Sequence, residues 1–84
     1  MLLKDTEIIE FIEINAKIMA GKPVIKGTRI TVEHILSLLS QDISIPEILT
    51  EYKGLEKQQI LACLQYAENI LEKTTTFDLD KMAS

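Results

Sequence analysis

At Thr31 the hydrophobic repeat of this sequence changes, and the change divides the chain into two kinds of structure. Before it, apolar residues come in short runs rich in β-branched and aromatic side chains: Ile8-Ile9-Glu10-Phe11-Ile12-Glu13-Ile14, then Val24-Ile25. Such runs suit a pleated, half-buried surface. Ile12 and Ile14 share one face of an extended chain, and Glu13 points the other way. Ala20-Gly21-Lys22-Pro23 punctuates between the runs. Pro23 cannot donate to a ladder, so the second strand starts there or lies at an edge. A short β-hairpin over about residues 8–30 is expected, with basic residues on its loops and outer face.

From Thr31 onward the period is helical. Thr31 suits an N-cap, and Val32, Ile35, Leu36 and Leu39 recur at the spacing of one helix face, which predicts a helix over about 32–40. Gln41-Asp42 interrupts it. Ser44-Ile45-Pro46-Glu47 is a capping box with Pro in the first turn, where its missing N–H costs nothing. Ile45, Ile48, Leu49 and Tyr52 then form the stripe of a second helix over 45–52, which Lys53-Gly54 ends. A third helix is expected over 56–73, where Ile60, Leu61, Leu64, Ala67 and Leu71 make one stripe and Ala62, Cys63, Tyr66 and Ile70 widen it. So broad an arc fits either a helix buried centrally in a bundle or a dimer interface. Thr74-Thr75-Thr76 continues a helix poorly. The expected fold is mainly α with a short N-terminal β-hairpin: a three-helix, helix-turn-helix-like (winged-helix-like) single domain over 1–73. A flexible tail, 74–84, follows.

Eighty-four residues make one small domain. A core of that size is marginal alone, yet 46% of the residues are hydrophobic and the mean hydropathy is +0.13. That apolar supply points to self-association or a protein partner. Nine Lys+Arg against thirteen Asp+Glu give a net charge of −4, unlike a generic nucleic-acid binder. The distribution is uneven. Lys17, Lys22, Lys26 and Arg29 occupy residues 14–32 with no acid between them, while both flanking regions are acidic. The start, Met1-Leu2-Leu3-Lys4-Asp5, lacks the features of a secretory signal, and no run approaches the ~20 apolar residues of a membrane span. No membrane contact and a reducing cytoplasm are expected.

Little in the sequence supports catalysis. One His and one Cys cannot supply a metal cluster of the usual spacing. His34 reads as an exposed helix histidine beside Glu33, and Cys63 as a core thiol in an apolar stripe. Gly21-Lys22-Pro23 and Gly27-Thr28 lack the glycine spacing of a phosphate loop. The expectation is a protein that is not an enzyme and needs no cofactor, metal or small-molecule substrate.

Two features carry more specific meaning. The short helix at 45–52, the turn Lys53-Gly54-Leu55 and the longer helix have helix-turn-helix spacing. In that arrangement Lys57 meets phosphate and Gln58 and Gln59 read adenine edges, although Glu56 leads the helix. The second feature is Ala20-Gly21-Lys22-Pro23-Val24-Ile25-Lys26-Gly27-Thr28-Arg29-Ile30-Thr31-Val32. It resembles the hallmark of the domain-of-unknown-function 433 family, a Gly-Lys-Pro-x-Ile-x-Gly-Thr-Arg-Ile element before the first helix. The resemblance continues through Ser44–Leu49, Tyr52, Gly54-Leu55 and the Ala62…Tyr66-Ala67 helix, over about residues 12–71. Lys53 departs from it where a Pro commonly follows the aromatic residue, and Glu56 where Thr or Ser commonly caps the last helix.

The resemblance implies a small, often dimeric, helix-turn-helix-like fold and an antitoxin role in a prokaryotic toxin–antitoxin pair. Such a protein would bind a PIN-like nuclease toxin and its own operator. Lys22, Lys26, Arg29, Lys57, Gln58 and Gln59 are then the DNA-binding candidates. Gly21, Pro23, Gly27, Thr28 and Arg29 form a structural motif, the glycines supplying unusual backbone angles and Thr28 and Arg29 fastening the hairpin to the helices. Phe77, Leu79 and Met82 are candidates for toxin contact, as apolar residues on a tail that either frays or orders on a partner. The alternative is a dimeric protein–protein interaction module that does not bind DNA.

Overall fold

A computed structural model of the chain describes residues 10–73. Strand β1 (Ile12–Glu13) pairs antiparallel with β2 (Val24–Ile25), in the register Ile12 to Ile25 and Glu13 to Val24. On the other side of β2, Ile25 N–H donates to the Ile30 carbonyl and Val32 N–H to the Pro23 carbonyl, both at 2.9 Å. Val24 also bridges Thr31. The two residues of β2 are thus flanked on both sides by backbone, and both are fully buried.

The hairpin is shorter than the apolar runs predict. Of the described part of the 8–14 run only Ile12–Glu13 pairs as strand, and Glu10 and Phe11 are helical; Ile8 and Ile9 lie outside the described residues. A strand exists only where a neighbour offers backbone groups. Pro23, with no N–H, bounds β2 before it, and the turn at Gly27 bounds it after. Ile14, past the pairing, is exposed.

Three helices follow: α1 (Val32–Ser40), α2 (Ile45–Glu51) and α3 (Lys57–Lys73). Each begins where side-chain chemistry can satisfy its first N–H groups. The Thr31 hydroxyl accepts from His34 N–H at 3.0 Å. Ser44 and Glu47 form the reciprocal capping box, with Pro46 in the first turn. At α3 the Glu56 side chain offers no hydroxyl cap; instead Glu56 N–H donates to the Gln59 side-chain oxygen at 2.7 Å. Between α2 and α3, Gly54 adopts φ +101°, a conformation that L side chains rarely enter.

The core lies where α1 and α3 pack together over the hairpin, with α2 closing one side. Ile12, Ile25, Val32, Ile35, Ile48, Ile60, Ala62 and Cys63 form it. Burial pushes the Cys63 thiol up to about 12 from its ordinary 9.0, because its thiolate would lie in apolar surroundings. Of the broad arc on α3, the residues turned inward are Ile60, Ala62 and Cys63, whereas Leu61 and Leu64 are exposed. The stripe that looks strongest in the sequence is therefore partly the outer face.

Candidate interaction surfaces

Helix length creates the first surface. Seventeen residues make α3 about 25 Å long, against about 14 Å for the nine residues of α1. The C-terminal part of α3 is its more exposed end. Its apolar residues remain outside, with Ile70 48% and Leu71 64% exposed. Together with Tyr66 and Ala67 from α3, Val32 and Leu36 from α1, and Pro23, they line an open groove of about 410 Å³. Glu33 stands at its rim.

On the far side of α1 lies a second concavity of about 340 Å³, between α1 and α2. Leu38, Ile43 and Ile48 line it, with Glu47 and Glu51 from α2. His34 Nε2 and Tyr52 Oη share a 2.8 Å hydrogen bond there, the rings meeting edge to face. This link joins α1 to the end of α2 across 18 positions of sequence. Neither residue's local pattern announces it, since helix periodicity says nothing about which side chain a neighbouring element brings.

The turn Lys26-Gly27-Thr28-Arg29 is the third. The Thr28 hydroxyl donates to the Ile25 carbonyl at 2.7 Å and accepts from Ile30 N–H at 3.0 Å. Thr28 N–H donates to the same Ile25 carbonyl at 2.9 Å, and Lys26 N–H donates to the Phe11 carbonyl at 2.8 Å. Thr28 therefore ties the turn to its own strand, and none of its bonds reaches α1, α2 or α3. Arg29 is exposed and makes no hydrogen bond or ion pair among the described residues. The lone ion pair among those residues joins Lys22 to Glu33 at 3.0 Å, on the solvent side of both groups.

The six DNA-binding candidates accordingly fall into different environments. Lys22 is paired with Glu33, Gln59 caps α3, and Lys26, Arg29, Lys57 and Gln58 are exposed. In the motif, Gly21 and Gly27 have φ of +82° and +83°, and Pro23 lines the apolar groove. Phe77, Leu79 and Met82 lie outside the described residues. Among the described residues no group of three or more His, Cys, Asp or Glu side chains is placed to hold a metal. No described helix is long and apolar enough to cross a membrane.

Residues 12–67 match the family described as Protein of unknown function (DUF433). The chain belongs to the DUF433 family. A crystal structure of a DUF433 member protein from Anabaena variabilis ATCC 29413 is similar to it, with a TM-score of 0.72 and 26% identity. That likeness covers 81% of this chain and 67% of the other. No curated protein matches the chain. The DUF433 match takes in the hairpin, the basic turn, α1, α2 and the buried half of α3. It ends before Ile70 and Leu71, so the exposed end of this DUF433 protein's last helix lies beyond the matched region.

Proposed function

We propose that this DUF433 protein is the antitoxin of a toxin–antitoxin pair: a non-enzymatic cytoplasmic homodimer that neutralises a PIN-like nuclease and binds its own operator. The observation that supports the protein-binding part is the apolar groove, with Ile70 and Leu71 at its edge. Removing apolar surface from water is worth roughly 25 cal/mol per Å², and contiguous exposed apolar patches on small domains mark interaction sites. A helix from a second copy or a toxin segment is the natural filler for a groove between two helices.

Two measurements test this reading. Sedimentation at micromolar concentration is expected to give about twice the 9.5 kDa chain mass, and Leu71→Lys is expected to shift it toward the monomer. Co-expression with a neighbouring nuclease gene is expected to rescue growth. A wild-type chain that stays monomeric at high concentration and gives no rescue defeats the proposal.

One observation favours the second reading, a dimeric interaction module without DNA binding. Two of the six DNA candidates already have partners within the fold, Lys22 in the ion pair with Glu33 and Gln59 in the cap of α3. Absence of any binding to duplex DNA alongside full growth rescue would select that module.

A further inference from the structure

We propose that the turn Lys26-Gly27-Thr28-Arg29 is a preformed site for a backbone phosphate of nucleic acid, and that the start of α3 is not. The inference rests on the operator-binding part of the proposed function and assigns that contact to a different element from the one helix-turn-helix spacing suggests.

The turn is rigid for an identifiable reason. Its inward-facing groups are tied: Ile25 N–H to the Ile30 carbonyl, Thr28 N–H and hydroxyl to the Ile25 carbonyl, and Ile30 N–H to the Thr28 hydroxyl. Lys26 N–H is held by the carbonyl of Phe11, the residue before β1. Two backbone donors are left over, Gly27 N–H and Arg29 N–H, which no protein group accepts among the described residues. Backbone N–H groups left free in a turn are donors available to an anion. Gly27 has φ +83°, and a Cβ built on it would meet nothing within 4 Å, so the backbone there is open to close approach.

Charge adds to this. Lys26 and Arg29 lie on the same turn as those two donors, both are exposed, and neither pairs with an acid among the described residues, whereas Lys22 does. Arg29 offers a planar fork suited to phosphate oxygens, and Lys26 a mobile point charge. The start of α3 is the poorer site: Glu56 places a carboxylate ahead of it, and Gln59 is engaged with Glu56 N–H. The turn also sits at the end of β2 away from Pro23, which lines the apolar groove. A partner in the groove and a phosphate on the turn would then occupy different ends of one short strand.

Fluorescence anisotropy tests this on the intact chain. The probes are a duplex from the region upstream of its reading frame and a scrambled duplex, over a series of salt concentrations. The wild-type protein is expected to bind both, because phosphate contacts carry no sequence information. Lys26→Ala with Arg29→Ala is expected to weaken both roughly tenfold or more, and to lower the log–log salt slope by ~0.9 for each phosphate no longer neutralised. Lys57→Ala with Gln58→Ala is expected to leave the slope unchanged. Should circular dichroism show the alanine pair unfolded, Lys26→Gln with Arg29→Gln removes the same charges while keeping side-chain stems.

Duplex binding with an unmoved slope in the turn variants, and a reduced one in the α3 variants, overturns the inference while leaving operator binding in place. No duplex binding by the wild-type chain overturns both. Amide spectra separate the phosphate sources: Gly27 and Arg29 signals are expected to move with duplex. Saturable shifts with inorganic phosphate alone, without duplex binding, would overturn the assignment to nucleic acid.

Discussion

The two halves of α3 have similar apolar content and opposite fates. In the first half Ile60, Ala62 and Cys63 are fully buried, while toward the C-terminus Ile70 and Leu71 are largely exposed. Nothing in the side chains themselves makes the difference. The first half supplies Ile60, Ala62 and Cys63 to the core, and the last turns line the open groove beside Val32, Leu36 and Pro23. One helix thus supplies both the centre of the core and the edge of the groove, so hydrophobicity there reports burial in one half and availability in the other.

The largest expected effect tests that contrast directly. Ile60→Ala removes a fully buried side chain and is expected to destabilise the fold by about 2–5 kcal/mol in urea denaturation. Leu71→Ala is expected to change monomer stability by no more than about 0.5 kcal/mol, while weakening self-association seen by sedimentation. Equal losses from the two would mean that the end of α3 is covered within the monomer.

A smaller effect tests the basic turn the same way. Thr28→Val leaves Ile30 N–H without its acceptor and is expected to cost about 1–3 kcal/mol. Arg29→Ala is expected to stay within about 0.5 kcal/mol. A large drop in melting temperature from Arg29→Ala, with little from Thr28→Val, would return the fastening role to Arg29.

Cys63 gives a pH test of the buried half. Its thiol titrates near 12 in the folded chain against 9.0 ordinarily, so above 9 the unfolded chain binds fewer protons than the folded one. Stability is therefore expected to be independent of this group below pH 9 and to fall as pH rises from 9 toward 12, by about 1.4 kcal/mol per pH unit. Cys63→Ala should flatten that slope in denaturation curves at successive alkaline pH values. Last and smallest, Lys22→Ala breaks an ion pair whose side chains are 56% and 76% exposed, and is expected to cost less than about 1 kcal/mol. A greater loss would show the pair anchoring the loop after β1 to α1.

Much of this fold can be read from residues three or four positions apart. Thr31 capping α1, the Ser44–Glu47 box at α2 and the left-handed Gly54 between α2 and α3 are local events. Each depends on hydrogen bonds or backbone angles within one turn, so the sequence determines them without knowledge of the rest of the molecule.

Other features required the assembled chain. Helical periodicity marks a wide apolar arc on α3 but leaves open which side faces in, and the packing of α1 and the hairpin turns Ala62 and Cys63 inward and Leu61 and Leu64 outward. Within the described part of the apolar run, pairing is confined to Ile12–Glu13 because its length belongs to the partner strand, which Pro23 and Gly27 bound. The bond from His34 to Tyr52, the pairing of Lys22 with Glu33 and the diversion of Gln59 to the cap of α3 each decide whether a polar side chain is available. Propensity and spacing act along the chain. Burial and partner choice act between elements distant in sequence, and the tertiary structure decides them because only there do those groups meet.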